Sequence, residues 1–303
     1  MRSAVNFSWL YAYSLRMALN MRKIIVWSLK GNLAALFFIV PSFAGVALFY
    51  IIPFIISLGY AAANADGQFV GLTNFVVLLS SEAFQLALMN TARFMAVAIP
   101  LNIALPLAIA CILVKATGGG WWKAIFMSPL VIPSACAAFF FQSLFMSNGL
   151  VSRIFGAKTD WLQTKYAFAI AVAVYVWKNM GFNLVLALAG LADIPKAYYE
   201  WASIEGMGKT RMFFRITLIY VTPSLLIMFV MSFINSFKVY RELYMLAGNY
   251  PNESIYMLQH YMNNQFAMLN YQNLTAASFM ITFIIAAFII VFFAIDKATE
   301  FGE

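Results

Sequence analysis

Six apolar runs, each long enough to cross a lipid bilayer, constrain the fold of this chain more than any other feature. They lie at about 33–60, 89–114, 124–146, 166–190, 218–237 and 275–295, and each holds at most one or two charged residues. A bilayer core accommodates roughly 20 apolar residues as a helix. We therefore predict an all-α integral membrane protein, a bundle of about six transmembrane helices.

Composition supports a lipid environment. Of 303 residues, 64% are hydrophobic and 10% are charged, whereas soluble domains average about 45–50% apolar and about 25% charged residues. A water-soluble fold of this length cannot bury that much apolar surface. The net charge of +8 comes mostly from residues beside apolar runs, so it indicates a membrane surface rather than nucleic acid.

The reactive residue types do not form a catalytic or metal-binding pattern. Cys111 and Cys136 each lie inside an apolar run, so we interpret both as small packing residues. His260 is the single histidine. Without paired carboxylates in a span or a Ser-His arrangement, general acid–base and nucleophilic chemistry have no candidate residues. We expect no catalytic residue, no metal site and no enzymatic activity on this chain.

Charge distribution predicts the orientation of a transmembrane domain at 33–295. The first 32 residues carry only basic charges, the loop at 61–88 carries only acidic ones, and the connection after the fourth span is again basic. By the positive-inside rule, both termini are expected in the cytoplasm, including a short tail at 296–303. Aromatic and basic residues at 1–32 suit a helix in the cytoplasmic interface, although a flexible leader fits equally well.

The connection at 191–217 is unusually polar and long for a minimal bundle. A short helix is predicted between Pro195 and Gly206, since proline favours a helix start and glycine a helix end. Glu200 would lie in its early turns, where a carboxylate suits the helix dipole. Tyr199, Trp201 and neighbouring apolar side chains outside the membrane predict a covering partner.

This connection resembles the coupling loop of ABC importer permeases, whose pattern is EAA, three residues, G, nine residues and I-x-L-P. The residues that match at this spacing are Glu200, Ala202, Gly206, Ile216 and Leu218. Trp201 replaces the central alanine of the pattern, and Ile219 replaces its proline. Further matches at Asn90-Thr91, 177–195, 261–266 and 276–278 are similar to the maltose-type, binding-protein-dependent sugar permeases.

The resemblance implies a transport subunit of a sugar importer in a prokaryotic cytoplasmic (inner) membrane. Such a chain forms half of a translocation path for a sugar or oligosaccharide. The implied partners are a second homologous permease, a cytoplasmic ATPase dimer and an extracytoplasmic solute-binding protein. ATP and Mg²⁺ would bind the ATPase, and this chain itself would hold no cofactor. The coupling residues would be Tyr199, Glu200, Trp201, Ala202, Gly206, Ile216 and Leu218.

A phosphate-binding motif is imitated by the run from Ser203 to Thr210, S-I-E-G-M-G-K-T. The P-loop pattern G-x-x-x-x-G-K-[ST] requires a first glycine and a preceding strand, and this run has neither. We therefore expect nucleotide to bind elsewhere, on the partner ATPase.

Polar residues inside the spans are candidates for the solute path, because such groups are costly in lipid. Lys178 lies near the middle of the fourth span, with Tyr175, Asn179 and Asn183 on nearby turns. Asn235 and Tyr240 are further candidates in or after the fifth span. Amides match sugar hydroxyls and aromatic rings stack on sugars, but asparagines also hold membrane helices together.

An ion-coupled secondary transporter is the alternative function. That class is characterised by inverted repeats, interrupted helices and a buried carboxylate for the coupling ion. The predicted spans contain no acidic residue, which favours the ABC importer.

Overall fold

The computed structural model describes residues 33–114, 121–156 and 158–300. Within these ranges the regular structure is helical, apart from one isolated bridge between Ala63 and Phe69. The predicted N-terminal segment at 1–32 lies outside the described residues. The α-helices are α1 (Leu33–Val46), α2 (Ile52–Ala62), α3 (Thr73–Ser80), α4 (Glu82–Leu113), α5 (Trp121–Val131), α6 (Ser134–Phe145), α7 (Leu150–Ile154), α8 (Ala167–Ala192), α9 (Lys196–Ile204), α10 (Lys209–Met212), α11 (Leu218–Lys238), α12 (Tyr240–Ala247), α13 (Leu258–Ala267) and α14 (Tyr271–Glu300).

Six helical segments of the described chain are long and apolar enough to cross a membrane, which confirms the predicted fold class. They are Phe38–Ala62, Glu82–Leu113, Ser134–Ile154, Ala167–Ala192, Lys209–Ala247 and Tyr271–Ile290. The fifth is longer at both ends than the apolar run at 218–237. The last helix continues to Glu300, so residues 296–300 extend the helix instead of starting a separate tail.

One helix was predicted over 124–146, but it is broken, and the apolar segment Ser134–Ile154 begins only after the break. Helix α5 ends at Val131, and α6 begins at Ser134 after an extended Pro133. Proline has no N–H to donate, and it disfavours helical geometry at the residue before it, here Ile132. Hydropathy alone does not register this break, because both half-helices are apolar.

Helix α8 is the central element of the bundle, with α4, α5 and α11 packed along it. Gly181 allows a close approach between the backbones of α8 and α5. A Cβ at this position would lie 2.8 Å from the Phe126 carbonyl oxygen and 2.9 Å from the Met127 Cα. Small residues permit such helix contact in membranes, where packing replaces the hydrophobic driving force.

The buried apolar side chains form clusters at opposite ends of α8. One joins α4, α6, α8 and α12 around Phe94, Val174 and Leu243. Another joins α4, α8 and α11 around Leu107, Leu184 and Val221, and it continues onto the segment that follows α8. The two ends of α8 therefore support different parts of the molecule.

Candidate functional site

The predicted short helix after Pro195 is present as α9 and ends in a glycine turn. Gly206 has φ of +73°. The Met207 N–H donates to the Ala202 carbonyl at 2.9 Å, and the Gly206 N–H donates to the Ser203 carbonyl at 3.1 Å. These two bonds form a Schellman motif, which closes a helix with a left-handed residue. The prediction that Gly206 ends this helix is confirmed.

One face of α9 is fixed to the bundle. Ala202 is buried, and the Tyr199 hydroxyl lies 2.8 Å from the Thr217 Oγ1. Tyr199, Ile216 and Leu218 pack together against the cluster that joins α8 and α11. Tyr199 and Ala202 thus point inward, which corrects their predicted place on a docking surface. Of the matched residues of the coupling-loop pattern, Ala202, Ile216 and Leu218 are on the packed side, whereas Glu200 is exposed.

The opposite face of α9 is open and carries large apolar side chains. Trp201 is 73% exposed and Ile204 is 85% exposed. Tyr198 and Glu200 are also exposed beside them. We call Tyr198, Glu200, Trp201 and Ile204 the coupling surface. Glu200 lies in the second turn of α9, past the first turn where the helix dipole acts, so the predicted dipole stabilisation does not apply to it.

The segment after Gly206 is helical from Lys209, although it was predicted as part of the connection up to residue 217. Helix α10 passes through a π-helical turn at Phe213–Thr217 into α11. The P-loop-like run therefore comprises the end of α9, the glycine turn and the start of α10. Its Gly206 and Met207 amides already donate to carbonyls of α9, so they are not directed toward a phosphate.

A polar cavity lies on α8 about 20 Å from its Ala192 end, at a rise of 1.5 Å per residue. Its volume is about 160 Å³. It brings together four predicted path residues, Tyr175, Lys178, Asn179 and Asn235. The remaining lining residues were not predicted: Ser134, Lys238, Val239, Arg241 and Glu242. We call this cavity, which lies between α6, α8, α11 and α12, the first cavity.

Lys178 also forms a hydrogen bond at the break between α5 and α6. Its Nζ donates to the Ile132 carbonyl at 2.5 Å. A cation beside the last carbonyls of a helix satisfies an acceptor and suits the negative end of the dipole. On the other side of the break, the Ser134 hydroxyl donates to the Glu242 Oε1 at 2.6 Å. Charged residues of α8 and α12 thus hold both sides of Pro133.

Tyr240 lines a second cavity, which is next to the first. This cavity has a volume of about 430 Å³ and is lined by Lys238, Tyr240, Arg241, Tyr244, Met245, Gln259 and Asn263. Lys238 and Arg241 therefore line both cavities. The Tyr240 ring also contacts the His260 ring edge-on, with centroids 4.7 Å apart.

Asn183 lies away from both cavities, at a junction of three helices. Its Nδ2 donates to the Asn102 carbonyl at 2.6 Å and to the Ser232 Oγ at 3.0 Å. Asn102 donates to the same hydroxyl at 2.9 Å. Asn183 is 1% exposed, so in this structure it joins α4, α8 and α11, as the alternative interpretation of the span asparagines allows.

Glu242 corrects the expectation that no acidic residue lies inside a span. It is buried in α12, which belongs to the helical segment Lys209–Ala247. Hydropathy averaging ends the fifth run at 237, because polar residues follow it. The spacing of Val239, Leu243 and Leu246, all buried, is the helical periodicity that extends the span. Within the described residues, no three His, Cys, Asp or Glu side chains group as metal ligands.

The known proteins that resemble this chain in sequence are transporter permeases. No family model matches the chain. The probable ABC transporter permease protein MG188 of Mycoplasma genitalium is 28% identical over 71% of this chain and 69% of its own length. The trehalose/maltose transport system permease protein MalF of Thermococcus litoralis is 29% identical over 77% of this chain and 81% of its own length.

The fold has a solved counterpart. A bacterial alginate ABC transporter, in complex with an alginate pentasaccharide-bound periplasmic protein, contains a chain that superimposes with a TM-score of 0.70. The two chains are 20% identical, and the match covers 90% of this chain and 93% of the other. The sequence relatives thus confirm the resemblance to the permeases of maltose-type sugar ABC importers.

Proposed function

We propose that this chain is a permease subunit of an ATP-driven importer for a sugar or oligosaccharide. The observation that carries the proposal is the coupling surface. In this short helix Tyr199 packs against the cluster that joins α8 and α11, and Ala202 is buried, while Trp201 and Ile204 are exposed. An apolar surface outside the spans needs a partner. The sequence relatives are permeases of sugar transporters, which supports the same function.

The proposed partners are those that the resemblance to ABC importer permeases implies. A cytoplasmic ATPase dimer, which binds ATP and Mg²⁺, receives α9 in a cleft. A second permease, identical or different, completes the translocation path, and an extracytoplasmic binding protein delivers the sugar. In the proposed orientation, α9 and both termini are on the cytoplasmic side of a prokaryotic inner membrane, and the two cavities lie toward the outside.

Two features of the structure are also expected of a secondary transporter, the alternative function. The break between α5 and α6 and the buried Glu242 resemble features expected of that class. The Glu242 carboxylate is already hydrogen-bonded to Ser134, and the pair supports the helix break. The relatives are ABC permeases over more than two thirds of this chain, so the alternative is not favoured.

Truncation of the coupling surface tests the proposal. We expect Trp201→Ala to reduce ATP-dependent uptake by the assembled transporter by about tenfold or more, since buried aromatic anchors dominate interface energies. Less ATPase subunit should co-purify in detergent. Phe69→Ala is the matched control, because Phe69 is equally exposed but lies in the loop after the first span. Equal uptake and equal co-purification for both variants would contradict the coupling role.

A further inference from the structure

Two basic residues, Lys238 and Arg241, line both cavities and have no part in the proposed contact with the ATPase. Lys238 ends α11 and Arg241 lies in the first turn of α12. Val239 between these helices has helical angles, so residues three apart lie on one face. Both side chains are exposed and line both cavities. A solute that occupies either cavity therefore meets this pair.

The charge of the first cavity is not balanced. Lys178, Lys238 and Arg241 face one carboxylate, that of Glu242. That carboxylate accepts a hydrogen bond from Ser134, and Lys178 donates to the Ile132 carbonyl. Within the described chain, Lys238 and Arg241 form no hydrogen bond or ion pair. Cations between membrane helices are costly unless an anion or water accompanies them.

The position of Lys238 and Arg241 in the chain also favours binding of an anion. Lys238 is the last residue of α11, about 30 Å from its first residue at 1.5 Å per residue. It thus lies at the end of α11 that is farther from α9, toward the outer side in the proposed orientation. Membrane proteins place their excess of Lys and Arg on the cytoplasmic side. The topology rule gives no reason for this pair, whereas binding of an anion does.

The other lining residues indicate that the anion belongs to a carbohydrate. Amides line both cavities, Asn179 and Asn235 in the first and Gln259 and Asn263 in the second. Amide groups both donate to and accept from hydroxyls. Tyr240 and Tyr244 add two aromatic rings in the second cavity, with centroids 5.5 Å apart. A small inorganic anion would need none of these groups.

We propose that the two cavities form a binding site for an acidic saccharide, one with at least one carboxylate on a sugar ring. The carboxylate lies between Lys238 and Arg241, where the planar guanidinium can form two parallel hydrogen bonds. The sugar rings lie against Tyr240 and Tyr244, with their hydroxyls on the amides. This assignment rests on the proposed importer function and specifies the solute that passes.

The test uses the complete transporter with its binding protein in proteoliposomes. The probes are oligosaccharide mixtures from pectin, alginate and glucuronoxylan hydrolysates, each paired with its carboxyl-reduced counterpart. Reduction converts each uronate carboxylate into a hydroxymethyl group and preserves the linkages, so the two members of a pair differ only at that group. Uptake is measured with internal ATP, and the accumulated sugar is identified by mass spectrometry. We expect uptake from at least one acidic mixture and none from its reduced counterpart.

Variants assign the selectivity to this chain. Lys238→Gln and Arg241→Gln should each lower acidic uptake by about tenfold or more, because each variant removes a charge-assisted hydrogen bond to the carboxylate. Lys158→Gln is the matched control, an exposed base in the loop before α8. The binding protein is the same in every assay, so a difference between variants originates in the permease.

The outcomes separate the two proposals. Preferred uptake of a reduced, neutral mixture would overturn the acidic assignment and leave the importer function intact. Acidic uptake that both glutamine variants leave unchanged would also overturn it. ATP-dependent uptake of no carbohydrate from either set would contradict the importer function, and the solute assignment with it. Acidic uptake that is lost in the variants and retained in Lys158→Gln supports the site.

Discussion

At the residue scale, the matched residues of the coupling-loop pattern divide into two groups. Ala202, Ile216 and Leu218 contact the bundle, and Gly206 ends the helix. Glu200 remains at the surface. Most of the pattern therefore specifies how α9 is held rather than what it touches. Trp201, which departs from the pattern, provides most of the exposed aromatic area.

Gly206 is the residue whose backbone decides where α9 ends. A Cβ there would meet no atom within 4 Å, so the cost of a side chain at this position is conformational and not steric. Alanine at φ of +73° should cost roughly 1–2 kcal/mol. We expect Gly206→Ala to reduce uptake and the stimulation of the partner ATPase by the loaded binding protein.

The neighbouring Gly208 provides the matched control for this prediction. Its φ is −66°, an angle that any residue adopts, so Gly208→Ala should leave uptake close to wild type. Gly206→Asn should recover part of the activity, since asparagine tolerates the left-handed region. Equal effects of alanine at both positions would show that backbone geometry at Gly206 is not the cause.

His260 provides a pH test of the packing between the fifth and sixth spans. It is fully buried in α13, and burial lowers its pKa from 6.5 to about 4. Between about pH 4 and pH 6.5, the unfolded chain therefore binds a proton at His260, whereas the folded chain does not. Stability should be complete above about pH 6.5 and decline as the pH falls toward 4.

The measurement for His260 is the thermal unfolding midpoint in detergent at pH 7 and pH 5. His260→Gln removes the titrating group and keeps an acceptor for the Met257 N–H, which donates to the His260 Nδ1 at 3.2 Å. We expect a smaller drop between the two pH values in the variant than in wild type. An unchanged drop would mean that other groups cause the acid sensitivity.

At the element scale, α8 and α11 connect the coupling surface to the cavities. The Ala192 end of α8 adjoins α9, and Tyr175, Lys178 and Asn179 line the first cavity farther along the same helix. Lys178 also reaches across to the break between α5 and α6. A continuous helix therefore joins the neighbourhood of α9 to residues that line the first cavity.

Close packing of α8 against α5 gives a prediction for this scale. Gly181→Val places side-chain atoms against the Phe126 and Met127 backbone, and backbone cannot yield as a flexible side chain does. Overpacking of this kind costs about 1–3 kcal/mol or more. We expect a lower unfolding midpoint and less monodisperse protein on size-exclusion chromatography.

A second glycine serves as the control for Gly181. Gly59 is also helical, in α2, and a Cβ there meets nothing within 4 Å. Gly59→Val should therefore behave like wild type in both measurements. A similar loss in both variants would indicate a general effect of valine in these helices, and not the close approach of α5.

At the scale of the whole molecule, the sequence was sufficient for the number of spans and for the family resemblance. Long apolar runs form transmembrane helices in lipid, and the spacing from Glu200 to Leu218 is specific. The sequence was not sufficient to predict which face of α9 packs inward. Tyr199 and Trp201 are both large and aromatic, and only the position of the α8–α11 cluster distinguishes them.

The lining of the first cavity could also be predicted only in part from the sequence. Tyr175, Lys178, Asn179 and Asn235 were predicted, because polar groups stand out inside apolar runs. Glu242, Lys238 and Arg241 were missed, because they follow the run that hydropathy detects. Asn183 differs from Asn179 only by one helical turn, yet it faces Asn102 and Ser232. Such differences depend on packing between distant segments.

The most direct measurement of the central claim is the energy source for transport in proteoliposomes. The complete transporter, with binding protein and sugar outside and ATP inside, should accumulate sugar without any ion gradient. This chain alone should hydrolyse no ATP and transport nothing, because its P-loop-like run lacks the phosphate-binding geometry. Uptake by the isolated chain, driven by a proton or sodium gradient and indifferent to ATP, would contradict the account and identify a secondary transporter.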